Sequence, residues 1–408
     1  MSDRYAAFRH SSFSRYFTAR FLTAFATQIL SVAVGYEIYD VTGNPIWLGW
    51  IGLVQFLPAL LLVVITGFAS DKFGRRLVMG LGILLEMLCV FGVIGLALTG
   101  NFRPIPVLIV LTLFGIARAF MSPASASLVV NVVPKDDFAN AVGWVTSSWQ
   151  IASVVGPAVG GVLHLLSASL AFAVSGIAFA CAAFLIFSIP KPKQILSKEP
   201  TNLKTLIGGF RYIWQEKIVL GAISLDLFAV LLAGAVALMP VYAKDILEVG
   251  QVGNGLLRAA PGIGAIAMAV WLVSFPIKDH AGKILFVSVA LFGLATAVFG
   301  VSKLAWFSIL VLMLVGAFDM VSVYIREVLL QLWTPDHVRG RVNAVNSIFL
   351  GASNELGEFR AGFMAAAYGT VFTVVAGGVA AIGVAGLWTQ LFPRLYKTNS
   401  LDGPDHLD

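Results

Sequence analysis

Charge is scarce in this chain. Only 12% of its 408 residues are Asp, Glu, Lys or Arg, against about 25% in an ordinary soluble domain. A surface with so little charge faces something other than water, and 59% hydrophobic content with a mean hydropathy of +0.90 makes that solvent lipid. Cysteine is nearly missing: Cys89 and Cys181 both sit inside apolar runs, which excludes a disulfide scaffold and a thiolate metal centre. The five histidines fall near segment ends or in tails without zinc-ligand spacing. No Ser-His-Asp order and no phosphate-cradling glycine loop occurs, so the sequence offers no enzyme chemistry, and neither a cofactor nor a metal is expected. The net charge of +6 does not point to nucleic acid, because no loop interleaves basic and aromatic residues.

What the chain does have is long apolar runs. Twelve satisfy the roughly 20-residue requirement for crossing a bilayer, near 14–39, 46–70, 77–99, 105–131, 138–165, 169–189, 218–243, 252–275, 284–302, 304–331, 342–368 and 370–392. The first is too long for a signal peptide and is read as a retained helix. Of the 27 Lys and Arg residues, three (Arg103, Lys244, Lys303) fall in the loops of one side, four lie within spans, and the other side holds the remainder. That imbalance predicts an N-terminus and a C-terminus both in the cytoplasm. The expected fold is all-α and integral to the membrane, with twelve helices in two six-helix bundles.

The boundary between bundles is expected at 190–217, giving domains 1–189 and 218–408. Pro190, Pro192 and Pro200 break helix there, and Leu203, Leu206, Ile207, Phe210, Ile213 and Trp214 then recur at helical spacing opposite Lys204 and Arg211. This segment reads as an amphipathic helix on the inner leaflet. The halves also repeat one another. Asp279, Gly282 and Lys283 follow Asp71, Gly74 and Arg75 by 208 positions, and Arg326 follows Arg118 by the same interval. Two bundles with a site between them is a transporter architecture.

The ten residues 67–76, GFASDKFGRR, set Gly67, Asp71, Gly74, Arg75 and Arg76 between the second and third spans. Taken singly, the basic residues read as a solvated turn. The ordered set resembles the loop between helices 2 and 3 of the major facilitator superfamily, in which it would serve as a conformational latch. Gly143, Gly156, Pro157, Gly160 and Gly161 resemble the fifth-helix motif of the drug:proton antiporters in that superfamily, although Ala152 stands where the pattern wants glycine. The stretches YFTARFLTAFATQILSVAVGYEIY at 16–39, LKTLIGGFRYIW at 203–214 and QLWTPDHVRGRVNAVN at 331–346 are similar to a bacterial branch of drug and siderophore exporters that includes the enterobactin exporter. The resemblance implies proton-driven efflux across a bacterial inner membrane and a cavity lined by the first, fourth, seventh and tenth helices.

Ionisable residues inside spans are functional candidates because their burial is costly unless paired or hydrated. Gln28 and Glu37 lie on the first span, Arg118 on the fourth, Asp226 on the seventh, Asp319 and Arg326 on the tenth, and Glu355 and Glu358 on an unusually charged eleventh. Each charged one reads either as a cavity or proton-coupling group or as half of a structural ion pair, and Gln28, polar but uncharged, as a cavity group. Glu37 is expected to be hydrated near the outer mouth, and Glu86, mid-way along the third span, to hydrogen-bond a neighbouring helix. The expected function is a secondary, proton-coupled exporter of an amphiphilic small molecule, acting as a monomer with protons and lipid as its other partners. An importer or uniporter of the same fold, or a transporter-like sensor, are the rival readings.

Overall fold

The computed structural model describes residues 4–191, 203–277, 279–399 and 401, and is all-helical over them. Its long helices are α1 (Ser11–Thr42), α2 (Ile46–Phe73), α3 (Arg75–Leu98), α4 (Pro104–Val132), α5 (Phe138–Leu166), α6 (Ala168–Phe187), the shorter α7 (Leu203–Gln215) and α8 (Lys217–Ala233). They continue as α9 (Gly250–Ser274), α10 (Ala281–Val301), α11 (Ala305–Leu332), α12 (Asp336–Tyr368) and α13 (Thr370–Leu391). Ten segments of the described chain are long and apolar enough to cross a membrane. α2 and the charged α12 are long helices that fall outside those ten. The spaces between them are short, as in any bundle whose sequential helices run antiparallel.

The chain forms two compact units. The first comprises residues 1–43, 54–201 and 250–259; the second comprises 44–53, 202–249 and 260–408. In the first unit α1 packs on α5 and α6, and α3 on α4 and α6. Its N-terminal segment is tied down: Asn140 accepts from the Ala7 amide (3.2 Å), and the Trp144 indole donates to the Arg4 carbonyl (3.0 Å). In the second unit α10 packs on α11 and α13, and α8 on α12 and α13, around a core that includes Leu225, Leu285, Ile325 and Ala381. α7 lays Ile213 against Val342, Val345 and Leu330, and the Tyr212 hydroxyl donates to the Trp333 carbonyl (2.8 Å). Phe210 and Trp214 remain exposed. One face of the predicted surface helix is thus occupied by α12.

Two boundaries differ from the sequence reading. α12 begins at Asp336, not near 340–342, because the charged turn 336–341 is accommodated as the helix's own first turns. The seventh span is not one helix: α8 stops at Ala233, and the chain continues as a 3-10 turn at Val236–Leu238, a helical turn at Met239–Val241 and a π turn at Tyr242–Ile246. α8 ends because Gly234 leaves the helical region (ψ 119°), and Pro240 then sits in the first turn of the next helical piece, where its missing amide costs no hydrogen bond.

Close crossing of α9 and α11 in the second unit depends on glycine. A Cβ on Gly316 would fall on the Pro261 carbonyl oxygen, and one on Gly264 on the Met313 carbonyl oxygen. Gly316→Val is therefore expected to destabilise the protein by about 1–3 kcal/mol through overpacking. Thermal unfolding in detergent checks this, with Gly383→Val, where nothing lies within 4 Å, as the control that should melt nearly as wild type.

Candidate functional site

Most of the sequence-derived residues fall into four local arrangements, each inside one unit. At the turn between α2 and α3, Gly74 takes φ +98°, a conformation that a side chain would strain. Arg75 does not project into solvent. Its Nη1 donates to the Ser127 carbonyl (3.0 Å) and to Asn131 Oδ1 (2.9 Å) on α4. Arg76 donates from Nε to the Ile186 carbonyl (3.2 Å) and from Nη2 to the Phe187 carbonyl at the end of α6. Orphan carbonyls at helix C-termini attract cations, so the reading of these arginines as a solvated turn is corrected: they fasten α3 to α4 and α6. The side chains of Gly67 and Asp71 lie outside the described residues.

The glycines of α5 serve helix contact. A Cβ on Gly156 would meet Gln28 Cβ at 2.6 Å, and one on Gly160 would meet Ile29 Cα at 3.1 Å, so α1 and α5 touch through them. Gly161 backs onto Gly255 within the same unit, Pro157 presents its carbonyl to Gly255, and Gly143 faces open space. Gln28 is thereby placed in the α1–α5 contact. Close by on α1, Ser31 is held by Arg258, whose Nη2 donates to its Oγ (2.9 Å). Arg258 was missed by sequence reasoning, although a lone arginine inside an apolar run was the same signal that marked Arg118. Glu37 is not simply hydrated: its Oε2 lies 3.0 Å from His164 Nε2 on α5, with the imidazole buried. His164, set aside as a segment-end residue, is its partner because α1 and α5 run together to their ends.

In the second unit, Asp226 on α8 and Arg326 on α11 form a direct ion pair, with Asp226 5% and Arg326 2% exposed. Glu327 Oε1 stands 3.7 Å from Arg326 Nη2. Asp319, two turns earlier on α11, makes no hydrogen bond or ion pair among the described residues. It lines a cavity of about 160 Å³ with Val230, Gly234, Met239, Thr296 and Asn354, within electrostatic reach of both Asp226 and Arg326. That cavity opens where α8 breaks. The break strips the Leu231 carbonyl of its helical donor, and Arg360 Nε supplies one at 2.9 Å while Nη1 reaches Met364 Sδ at 3.2 Å. Arg360 is thus satisfied across the helix pair by a backbone carbonyl of α8. Glu355 and Glu358 converge elsewhere, both Oε2 atoms lying 3.2 Å from where a Cβ of Gly52 would stand.

The fourth arrangement lies wholly in the first unit. Gly82 on α3 lets α4 approach so closely that a Cβ there would meet Met121 Cβ at 2.9 Å. One turn on, that face carries Glu86. Glu86 is 1% exposed and neither carboxyl oxygen has a hydrogen-bond partner, which overturns the expected bond to a neighbouring helix: α3 meets α4 there through glycine and apolar atoms. Glu86 lines a cavity of about 310 Å³ with Arg118, Arg20, Ser122, Met79, Met121 and Trp149. Arg118 is its electrostatic neighbour but not its ion-pair partner.

No group of three or more His, Cys, Asp or Glu residues able to hold a metal occurs among the described residues.

Comparison with known proteins adds to this geometry. The sequence profile described as transmembrane secretion effector matches residues 2–406. The enterobactin exporter of Shigella boydii is 25% identical over 381 residues, covering 90% of this chain and 87% of the relative. That of Citrobacter koseri is similar to the same extent. Among solved structures, a bacterial homologue of the human lysosomal transporter Spinster, inward-facing and unoccupied, aligns with a TM-score of 0.74 at 14% identity over 97% of this chain and 99% of that one. A D-xylose–proton symporter aligns with a TM-score of 0.73 at 14% identity over 95% and 99%. At such identities the structural likeness speaks for the fold.

Proposed function

The chain belongs to the transmembrane secretion effector family of the major facilitator superfamily and is a multi-pass membrane transporter; from that premise we propose that it exports an amphiphilic small molecule in exchange for protons. The observation that carries the reading is Asp319, a carboxylate with no hydrogen bond or ion pair among the described residues, in a cavity at a helix break beside an ion pair. Broken helices and intramembrane carboxylates mark coupling-ion and substrate pathways. Asp226 and Arg326 supply a constant electrostatic frame, and Asp319 takes and releases the proton as access alternates. Arg118, Glu355 and Glu358 are further ionisable groups of the pathway, and Gln28 and Glu37 tie α1 to α5. The bundles 1–189 and 218–408, joined by 190–217, are the working halves, and the turn at 67–76 is the latch between states. The relatives in Shigella boydii and Citrobacter koseri are named as enterobactin exporters, which favours outward transport of a drug- or siderophore-class molecule.

Everted bacterial vesicles test this. With an acidic interior they should accumulate enterobactin or ethidium, and a protonophore should abolish the accumulation. Loading of right-side-out vesicles instead would make the protein an importer. The proposed orientation in the bacterial inner membrane, with both termini cytoplasmic, has its own check. In a Cys89→Ala/Cys181→Ala background, Ser167→Cys should react with an impermeant maleimide on intact cells and Lys191→Cys should not; the reverse pattern would invert the topology.

A further inference from the structure

The two halves handle their matching arginines differently. Arg326 is neutralised by Asp226. The position 208 residues before Asp226 is Thr18, so the first half has no acid at the place that would neutralise Arg118. The acid that lines the same cavity is Glu86, on a different helix and with no counterpart in the second half, where Leu294 stands at the matching position. Glu86 and Arg118 sense one another's charge, yet they do not close into an ion pair across the cavity. A buried carboxylate with both oxygens unsatisfied is expensive to keep. The fold keeps it beside an arginine that has no acid of its own.

We propose that this cavity is a ligand subsite for a zwitterionic aromatic head group, with Glu86 receiving a cationic donor and Arg118 donating to an adjacent carboxylate. Glu86 and Arg118 line one space without touching; a turn of the enclosed Glu86 carboxyl group towards that space presents an acceptor opposite a donor, which calls for a ligand that carries the opposite pair side by side. The size agrees, since about 310 Å³ is the lower end of small-molecule pockets. It holds roughly ten waters' worth of volume, more than a single bridging water needs. The wall agrees as well: Trp149, Met79 and Met121 border the same space, and polarisable sulfur and an indole face suit an aromatic ring. Arg20 joins the cationic side with one nitrogen already committed, its Nη1 donating to Ser125 Oγ at 2.5 Å, so it is held in place while its remaining donors stay available. Arg20 and Arg118 against Glu86 leave one net positive charge, which keeps a lone amine out and makes the carboxylate of the ligand obligatory.

This deepens the transporter reading by naming the head group, and binding without a gradient tests it independently of proton coupling. Isothermal titration of the purified full-length protein in detergent should rank three probes sharing one ring: L-phenylalanine, 3-phenylpropionate and 2-phenylethylamine. The zwitterion is expected to bind at least about tenfold more tightly than either singly charged probe, equivalent to about 1.4 kcal/mol. Glu86→Gln should erase its advantage over 3-phenylpropionate, and Arg118→Gln should reduce its advantage over 2-phenylethylamine to what Arg20 alone supplies. Glu86→Gln removes an unpartnered group and should melt no lower than wild type. If Arg118→Gln fails to fold, the Glu86→Gln/Arg118→Gln double variant replaces it and should bind L-phenylalanine and 3-phenylpropionate alike, and both more weakly than Glu86→Gln does, since only Arg20 is left to hold a carboxylate. Equal binding of the three probes by wild type, no binding of any, or an undiminished preference in Glu86→Gln would each overturn the proposal; the last would make Glu86 a proton- or water-binding group only. A protein that ranks the probes as stated yet moves no protons would leave the subsite standing and remove the coupling.

Discussion

Asp226→Asn is expected to destabilise the second unit by about 3–5 kcal/mol, with a fall in melting temperature on the order of 10 °C. Arg326 is almost wholly enclosed, and an amide cannot neutralise it. Glu327, 3.7 Å away and partly exposed, is too hydrated to compensate. Removing one partner of a buried pair leaves the other charge in a poor solvent, whereas removing both leaves none. The Asp226→Asn/Arg326→Met double variant should therefore recover most of the lost stability, a non-additivity that belongs to residues in contact. Melting curves of wild type, both single variants and the double variant decide the matter. An Asp226→Asn protein that melts as wild type, or a double variant no better than the single, would show that the pair does not fasten α8 to α11.

Asp319→Asn should behave in the opposite way. Among the described residues Asp319 has no hydrogen bond or ion pair to lose, the amide keeps the shape of the carboxyl group and one of its oxygens, and the cavity of about 160 Å³ keeps its size. Folding and cargo binding are expected to survive. Proton-driven accumulation in vesicles is expected to fall to the level of vesicles without the protein, because an amide does not cycle between neutral and anionic forms. Exchange of labelled for unlabelled cargo, which needs no net proton movement, should persist. Full proton-driven accumulation in this variant would move the coupling group elsewhere, with Glu355 and Glu358 next to be changed.

The membrane class and the helical fold were legible because they depend on run length and charge scarcity, which one sequence states outright. Which ionisable residues would pair was not legible. Asp226 and Arg326 are a hundred positions apart, and only the packing of α8 on α11 turns two candidates into one ion pair. Glu37 and His164 looked like end-of-span residues for the same reason. Arg75 and Arg76 read as ordinary inner-side charge, since nothing local says that the ends of α4 and α6 stop within their reach. Arg360 finds its acceptor in the Leu231 carbonyl, which is freed where α8 ends at Ala233; nothing local to Arg360 says that a helix on the other side of the contact stops there. Glu86 was given a hydrogen bond because most buried carboxylates have one, and the glycine contact at Gly82 is what denies it one.

The most direct measurement of the central claim is proton movement driven by cargo alone. Proteoliposomes containing the purified protein, with a pH-sensitive dye inside and no initial pH gradient, would be given enterobactin or ethidium on one side only. The proposal predicts proton flux opposite to the cargo gradient, present in wild type, absent in Asp319→Asn and absent in empty liposomes. Cargo that equilibrates with no proton movement in wild type, or protons that travel in the same direction as the cargo, would contradict it.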